Sequence, residues 1–222
     1  MKLEDCHLLV KKSSIKLIEK NEFARAEIQD IVKQLKFNVD LNKFHSDRKN
    51  EFILSRVLIY HILKEEYKFE YNEFSSNEDR SPIWPQGFIG SISHSKNLVA
   101  VALSQNCKYL GIDLENLGRM KIDVFNKISV DEDIKIVNGL TDEQLMTLIF
   151  SAKEALFKAL YPEVKKFFGF DYAYVKNVFV DKNSFEICLK KPINELWTPE
   201  KRQAITGRFL FDQGHCLAII EF

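Results

Sequence analysis

Thr141-Asp142-Glu143-Gln144-Leu145-Met146-Thr147-Leu148-Ile149-Phe150-Ser151-Ala152-Lys153-Glu154-Ala155-Leu156-Phe157-Lys158-Ala159-Leu160 carries the strongest periodic signal in the chain. Leu145, Leu148, Ile149, Ala152, Leu156, Ala159 and Leu160 recur at helical spacing and form one apolar stripe. Thr141 and Gln144 make a capping box at the start, and Leu140 with Leu145 a hydrophobic staple. Tyr161-Pro162 is expected to end the helix. Strand signals lie on both sides of it. Upstream are Phe88–Ser93, Leu98–Leu103 and Tyr109–Glu115; downstream are Tyr172–Val180, Phe185–Leu189 and a hairpin of Ile205–Phe211 with Cys216–Phe222 across Asp212-Gln213-Gly214.

A second helix is expected from Ser46 or Asp47 to about Tyr67, and a weaker one around Phe23–Leu35. Pro82-Ile83-Trp84-Pro85 cannot be a helix interior, and residues 116–140 read as short helices and loops. Helix and strands thus alternate in two similar blocks. This predicts an α+β fold of two pseudo-symmetric halves, residues 1–115 and 116–222, packed as one compact unit rather than a doubly wound sheet.

Composition narrows the function classes. The 222 residues carry 32 basic and 32 acidic side chains, so no global field draws the chain to nucleic acid or an anionic membrane. Any anion must be met by a local cluster of cations. Only seven of those cations are arginines, and Arg48, Arg56 and Arg80 fall close together. The longest apolar run, Leu98 to Leu103, is far short of the ~20 residues of a membrane span. The segment Met1 to Cys6 has acids where a secretory leader has bases. Cys6, Cys107, Cys188 and Cys216 are widely spread with no CxxC pair, which argues against a disulfide framework. A reduced, cytoplasmic, monomeric protein is the expectation.

Four segments could do chemistry. In Tyr109-Leu110-Gly111-Ile112-Asp113-Leu114-Glu115, strand alternation puts Gly111, Asp113 and Glu115 on one face. Two carboxylates there repel unless a cation lies between them, and such oxygen pairs suit Mg²⁺; Gly111 would let a ligand approach the backbone. The alternative is an edge strand with a solvated acidic face. On the long helix, Glu154 and Lys158 sit nearly opposite the apolar stripe, flanked by Phe150 and Phe157. They are either a solvent-facing pair or one wall of a cleft. Gly90-Ser91-Ile92-Ser93-His94-Ser95 offers hydroxyls and a switchable cation, His94, to phosphate oxygens, or is a plain serine-rich turn. Arg48 opens its helix and Arg56 follows roughly 12 Å along the axis. Arginine binds phosphate bidentately, although each one alone reads equally as a surface residue.

Taken in order, these segments resemble the 4′-phosphopantetheinyl transferases of the enterobactin/surfactin synthetase type. The resemblance rests on Arg48-Lys49-Asn50-Glu51-Phe52 with Arg56, Arg80-Ser81-Pro82-Ile83-Trp84-Pro85, Gly90 to Ser95, Gly111 to Glu115 and Phe150 to Lys158. It implies transfer of the phosphopantetheine arm of coenzyme A to a serine of an acyl or peptidyl carrier protein, for siderophore, non-ribosomal peptide, polyketide or fatty-acid synthesis. Adenosine 3′,5′-bisphosphate would leave, and the site would lie between the halves. It further implies Mg²⁺ held by Asp113, Glu115 and Glu154, and catalytic roles for Glu154 and Lys158. Coenzyme A would meet Ser93, His94, Lys153 and Lys158, with Arg48, Arg56 and Arg80 at its 3′-phosphate. The general base stays open between Glu154 acting directly and acting through water. Phe150 stands where many relatives have Trp, and Lys11, Lys12 or Lys43 could add a basic contact. Met120, Lys121, Val124, Phe125 and Lys127 could dock the carrier. Two rivals remain: a Mg²⁺-dependent nuclease, disfavoured by neutral charge and by Leu117 where an acid-x-Lys pattern needs a base, and a non-catalytic carrier- or coenzyme-binding module.

Overall fold

The computed structural model describes residues 2–222. The N-terminal part contains β1 (Ser14–Glu19), α1 (Ala26–Val32), β2 (Lys36–Phe37), α2 (Ser46–Glu65), β3 (Glu73–Phe74), β4 (Ile89–His94) and β5 (Leu98–Ser104). The C-terminal part contains β6 (Leu110–Asn116), α3 (Ile122–Ile128), α4 (Asp142–Val164), β7 (Ala173–Phe179), β8 (Ser184–Leu189), β9 (Ile205–Asp212) and β10 (His215–Glu221). The expected helix over Phe23–Leu35 is the short α1, preceded by a tight 3₁₀ turn, Lys20–Ala24.

Each part lays one long helix on an antiparallel sheet. Strands β1-β5-β4 form a three-stranded sheet, β6-β10-β9-β8-β7 a five-stranded one, and β2 and β3 pair in parallel. The uninterrupted apolar run of β5 has a physical reason: both of its faces are covered. Val99, Val101 and Leu103 pack with α2 residues such as Leu54, Val57 and Leu58. Leu98, Ala100 and Ala102 pack with Ile112 and Leu114 of β6 and Leu217 and Ile219 of β10. A strand buried on both faces loses the polar alternation of a half-exposed one.

The capping box at Thr141 forms as expected: its side chain accepts from the Gln144 amide at 3.2 Å, and Gln144 accepts from the Thr141 amide at 2.9 Å. The helix does not stop at Tyr161, however. Pro162 lies inside it, and α4 continues to Val164 before Lys165 turns left-handed. Proline's fixed φ is compatible with a helix, but Pro162 gives the Lys158 carbonyl no amide and crowds it, and the helix ends two residues later.

The two parts meet along β4 and β6, where hydroxyls replace a backbone ladder. Ser91 Oγ accepts from the Ile112 amide at 3.0 Å, and Ser93 Oγ accepts from the Leu114 amide at 3.0 Å. Serines two residues apart thus satisfy β6 amides two residues apart, which would otherwise be buried without acceptors. On its other side β6 pairs with β10, Asp113 opposite Ala218 and Glu115 opposite Cys216.

Helix α4 lies directly on β6 at Gly111. A Cβ at that position would come within 1.9 Å of the Ala155 carbonyl oxygen and 2.7 Å of the Ala159 nitrogen. The space that glycine leaves is therefore taken by the helix backbone, not by a ligand as the sequence suggested. Gly111→Ala should lower stability by about 1–3 kcal/mol, the usual cost of overpacking. Urea unfolding measures this, and a midpoint equal to that of the wild type would contradict so close an approach.

Candidate active site

Strand alternation turns Asp113 and Glu115 to the same side as Gly111, and therefore toward α4. Both carboxylates are buried, at 6% and 5% exposure, so a solvated acidic edge is excluded. Asp113 Oδ1 accepts from Lys158 Nζ at 2.8 Å and from Ser93 Oγ at 3.0 Å. Lys158 also donates to Ser93 Oγ at 3.0 Å. Asp113 Oδ2 is buried and has no hydrogen-bond partner. Glu154, one turn before Lys158, is half-buried. Burial pushes its carboxyl above the ordinary range; Asp113 adds to this, Lys158 opposes it, and Glu115 adds a little more. The helix pair is a cleft wall, not a solvent-facing pair.

An orphaned buried carboxylate oxygen and a second carboxyl strained by the same neighbour are the chemistry of a cation site. Asp113 and Glu154 fit a divalent ion such as Mg²⁺, which commonly takes one or two carboxylates with phosphate and water. Glu115 stands apart from them. It accepts from Arg119 at 3.2 Å and from the Asn116 amide at 2.8 Å. Among the described residues, no three His, Cys, Asp or Glu side chains converge as a ready ligand set.

The basic wall begins one residue from Ser93. Arg48, Arg56, Arg80 and His94 line one recess of about 160 Å³, with Phe52 and Pro82 in its sides. Arg56 is 5% exposed, stacks 3.7 Å over the Phe52 ring and donates to Ser55 Oγ at 2.9 Å. Among the described residues no carboxylate pairs with it. Burial and then Arg48 draw its pKa down to about 10. His94 Nε2 lies 2.7 Å from Arg48 Nη1, and Nδ1 lies 3.3 Å from Glu51 Oε1. An arginine can only donate, so Nε2 accepts and the ring proton sits on Nδ1. Burial lowers the His94 pKa, assisted by Arg48, Lys20 and Lys158 against the pull of Glu51. The imidazole is thus a neutral acceptor here rather than the cation suggested by the sequence. Burial raises the Glu51 carboxyl, but Lys20 at 2.6 Å, His94 and Arg48 overcome this and hold it low.

Other expected site residues are placed elsewhere. Ser93 is in the cluster, but its hydroxyl is fully used by Asp113, Lys158 and the Leu114 amide. Lys153 is not brought there: it is buried and donates to Asp133 at 2.6 Å and to the Ile128 carbonyl at 3.0 Å. Lys11 and Lys12 give their amides to Glu221, and Lys43 pairs loosely with Asp40 at 3.8 Å. Met120 is buried, and Phe125 is half-buried against the C-terminal core. The basic residue that the N-terminal segment does contribute is Lys20, through Glu51. Nothing in its local sequence marks it, because its partner is distant in the chain.

Between the two walls is a cavity of about 430 Å³. Trp84 and Ile92 line one side, Phe157 and Tyr161 of α4 the other, with Lys158 in its wall. Gly90 makes room for Trp84: a Cβ there would meet the indole at 2.6 Å. Pro82 and Ile92 border both this cavity and the arginine recess, so the two are neighbours.

Comparisons with known proteins agree with this geometry. Residues 38–104 match the family described as 4′-phosphopantetheinyl transferase N-terminal domain, and residues 109–219 the 4′-phosphopantetheinyl transferase superfamily. The 4′-phosphopantetheinyl transferase Npt of Nocardia iowensis is 27% identical over 157 residues, 65% of this chain and 69% of that protein. The 4′-phosphopantetheinyl transferase Svp of Streptomyces mobaraensis is 35% identical over 99 residues, 42% of this chain and 40% of that protein. Enterobactin synthase component D of Escherichia coli is 32% identical over 133 residues, 58% of this chain and 62% of that protein. Among the described residues no helix is long and apolar enough to cross a membrane. With the second family match covering half its length and the acidic and basic walls both in place, the chain belongs to the 4′-phosphopantetheinyl transferase superfamily.

Proposed function

We propose that this protein transfers the 4′-phosphopantetheine arm of coenzyme A to a serine of an acyl or peptidyl carrier protein. The observation that carries the reading is a pair of uncompensated groups at adjoining cavities: the orphaned Asp113 Oδ2, beside the Lys158 that lines one cavity, and the buried Arg56 guanidinium that lines the other and pairs with no carboxylate among the described residues. A ligand that suits both has a cation-bridged diphosphate at one end and a further phosphate at the other, which describes coenzyme A.

The carrier serine attacks the phosphorus that bears the pantetheine arm, and the bond from that phosphorus to the bridging oxygen breaks. Adenosine 3′,5′-bisphosphate leaves with the electron pair. Glu154, whose carboxylate burial makes a stronger base than usual, takes the serine proton directly or through water and becomes the neutral acid. Two of the three Lys158 donors are occupied by Asp113 and Ser93, which leaves one for a non-bridging oxygen. Ser93 therefore orients Lys158, a different role from the phosphate contact expected of it. Mg²⁺ bound by Asp113 and Glu154, with Glu115 once freed from Arg119, would neutralise the diphosphate and make its phosphorus more electrophilic. Arg48, Arg56 and Arg80 take the 3′-phosphate, and His94 holds Arg48 in place for it. The carrier docks on α3, where Ile122 and Val124 are exposed, at 57% and 45%, between Lys121 and Lys127. Apolar contact flanked by lysines suits an acidic helix.

Two results test this. With coenzyme A, Mg²⁺ and an apo carrier, mass spectrometry should show the carrier gaining the phosphopantetheine arm. Asp113→Asn should slow that gain by roughly 100-fold or more and weaken Mg²⁺ binding by calorimetry in the presence of coenzyme A. Undiminished transfer and Mg²⁺ binding would remove Asp113 from the site.

Arg56→Met separates stability from binding. Removing an unpaired buried charge should leave the free protein as stable as the wild type or more so. Coenzyme A should bind about 1.5–3 kcal/mol more weakly, the worth of a charge-assisted bond. Unchanged affinity by calorimetry would place the phosphate elsewhere.

A further inference from the structure

We infer that Asp79 is a positioning residue, which latches the Arg80 loop to α4 through Tyr161 and so fixes Arg80 for the 3′-phosphate; this rests on the reading above. Arg80 has a backbone φ of +67°, a left-handed conformation that a residue with a Cβ adopts at a cost. Such a conformation persists where its surroundings over-determine it. Here they do. The Arg80 amide donates to the Asn77 carbonyl at 2.9 Å, and the Asn77 amide to the Ser81 carbonyl at 2.9 Å. Asn77 Nδ2 donates to Ser81 Oγ at 2.9 Å.

These bonds shape the loop but do not say where it stands relative to the catalytic wall. Asp79 does. Its Oδ1 accepts from the Ser81 amide at 2.9 Å and from Ser81 Oγ at 2.5 Å, while Oδ2 accepts from Tyr161 Oη at 3.0 Å. Lys165 Nζ stands 3.8 Å from the same oxygen. The Ser81 hydroxyl, the Ser81 amide and the Tyr161 hydroxyl hold the Asp79 carboxyl down at about 2, so it is ionised throughout the working range. Tyr161 lies one helical turn beyond Lys158 on α4. One oxygen of Asp79 therefore holds the residue after Arg80, and the other holds the helix that carries Lys158 and Glu154. Ser81 and Tyr161, which the latch joins, both line the 430 Å³ cavity. It sets the separation between the 3′-phosphate recess and the transfer site.

The sign of its effect distinguishes this role from simple electrostatics. Coulomb attraction alone predicts that removing a carboxylate beside an anion site tightens the anion. A positioning role predicts the opposite.

Calorimetry with coenzyme A and with 3′-dephospho-coenzyme A reads the difference. Asp79→Asn should weaken coenzyme A about 5- to 20-fold and leave the dephospho compound within about twofold, as befits the loss of one oriented charge contact. Tyr161→Phe, which removes only the hydroxyl, should do the same to a smaller degree. In an Arg80→Ala background, Asp79→Asn should add nothing further. Equal losses on both ligands, tighter coenzyme A binding, or full additivity with Arg80→Ala would each overturn the inference. Arg80→Ala that fails to discriminate the two ligands would overturn the 3′-phosphate reading itself, and this inference with it. Arg80→Ala that discriminates while Asp79→Asn does not would remove the latch alone.

Discussion

The site depends on one close approach, the backbone of α4 lying on Gly111 of β6. Lys158 and Glu154 belong to the helix, Asp113 and Glu115 to the strand, and only the absent Cβ lets the two elements come near enough for Lys158 to reach Asp113 at 2.8 Å. Small residues on the helix, Ala155 and Ala159, complete the fit. The same contact decides the burial of both carboxylates. A helix a few ångströms further out would leave them in water, where their mutual repulsion would be screened and little would draw a cation to them.

The second constraint is the serine seam. Ser93 satisfies an amide of β6, bonds to Asp113 and accepts from Lys158, so one hydroxyl joins the N-terminal sheet, the C-terminal sheet and α4. Its neighbour His94 belongs to the basic recess through Arg48. Two consecutive residues on β4 thus face two chemically opposite sites, as strand alternation requires. The separation between the acidic and basic ends of the cleft is built into the backbone of that strand rather than left to flexible side chains.

Much of this was legible in the sequence where the signal is local. The capping box and apolar stripe gave α4, and strand alternation placed Asp113 and Glu115 on one face. Clustered arginines in an arginine-poor chain marked the recess. What escaped was decided by partners distant in the chain. Glycine on a strand announces a close approach but not by what, and here it was the helix. Lys153 and Glu154 are adjacent in sequence, yet about 100° of helical rotation separates them. Lys153 turns inward to Asp133, which is further fixed by the Val130 and Val175 amides at 2.8 Å each. Ser93 looked free because its amide partner sits on another sheet. Pro162 reads as a terminator because proline leaves the preceding turn's carbonyl without an amide, yet the helix runs two residues past it before Lys165 turns left-handed.

The buried Lys153–Asp133 pair clarifies why the neighbouring Glu154 can remain so exposed to strain. Breaking a buried, well-bonded ion pair is costly, because it strands a charge away from water. Both side chains are almost fully buried, at 2% and 1% exposure, and Asp133 receives its lysine and two backbone amides. This pair fixes the rotation of α4 about its own axis at the residue next to Glu154. With the rotation fixed there and the distance to β6 fixed at Gly111, the Glu154 backbone is held beside Asp113. Packing thus places two carboxyls on facing elements, with burial and Asp113 raising Glu154 and Lys158 opposing them, and a bound cation would stabilise both carboxylates there.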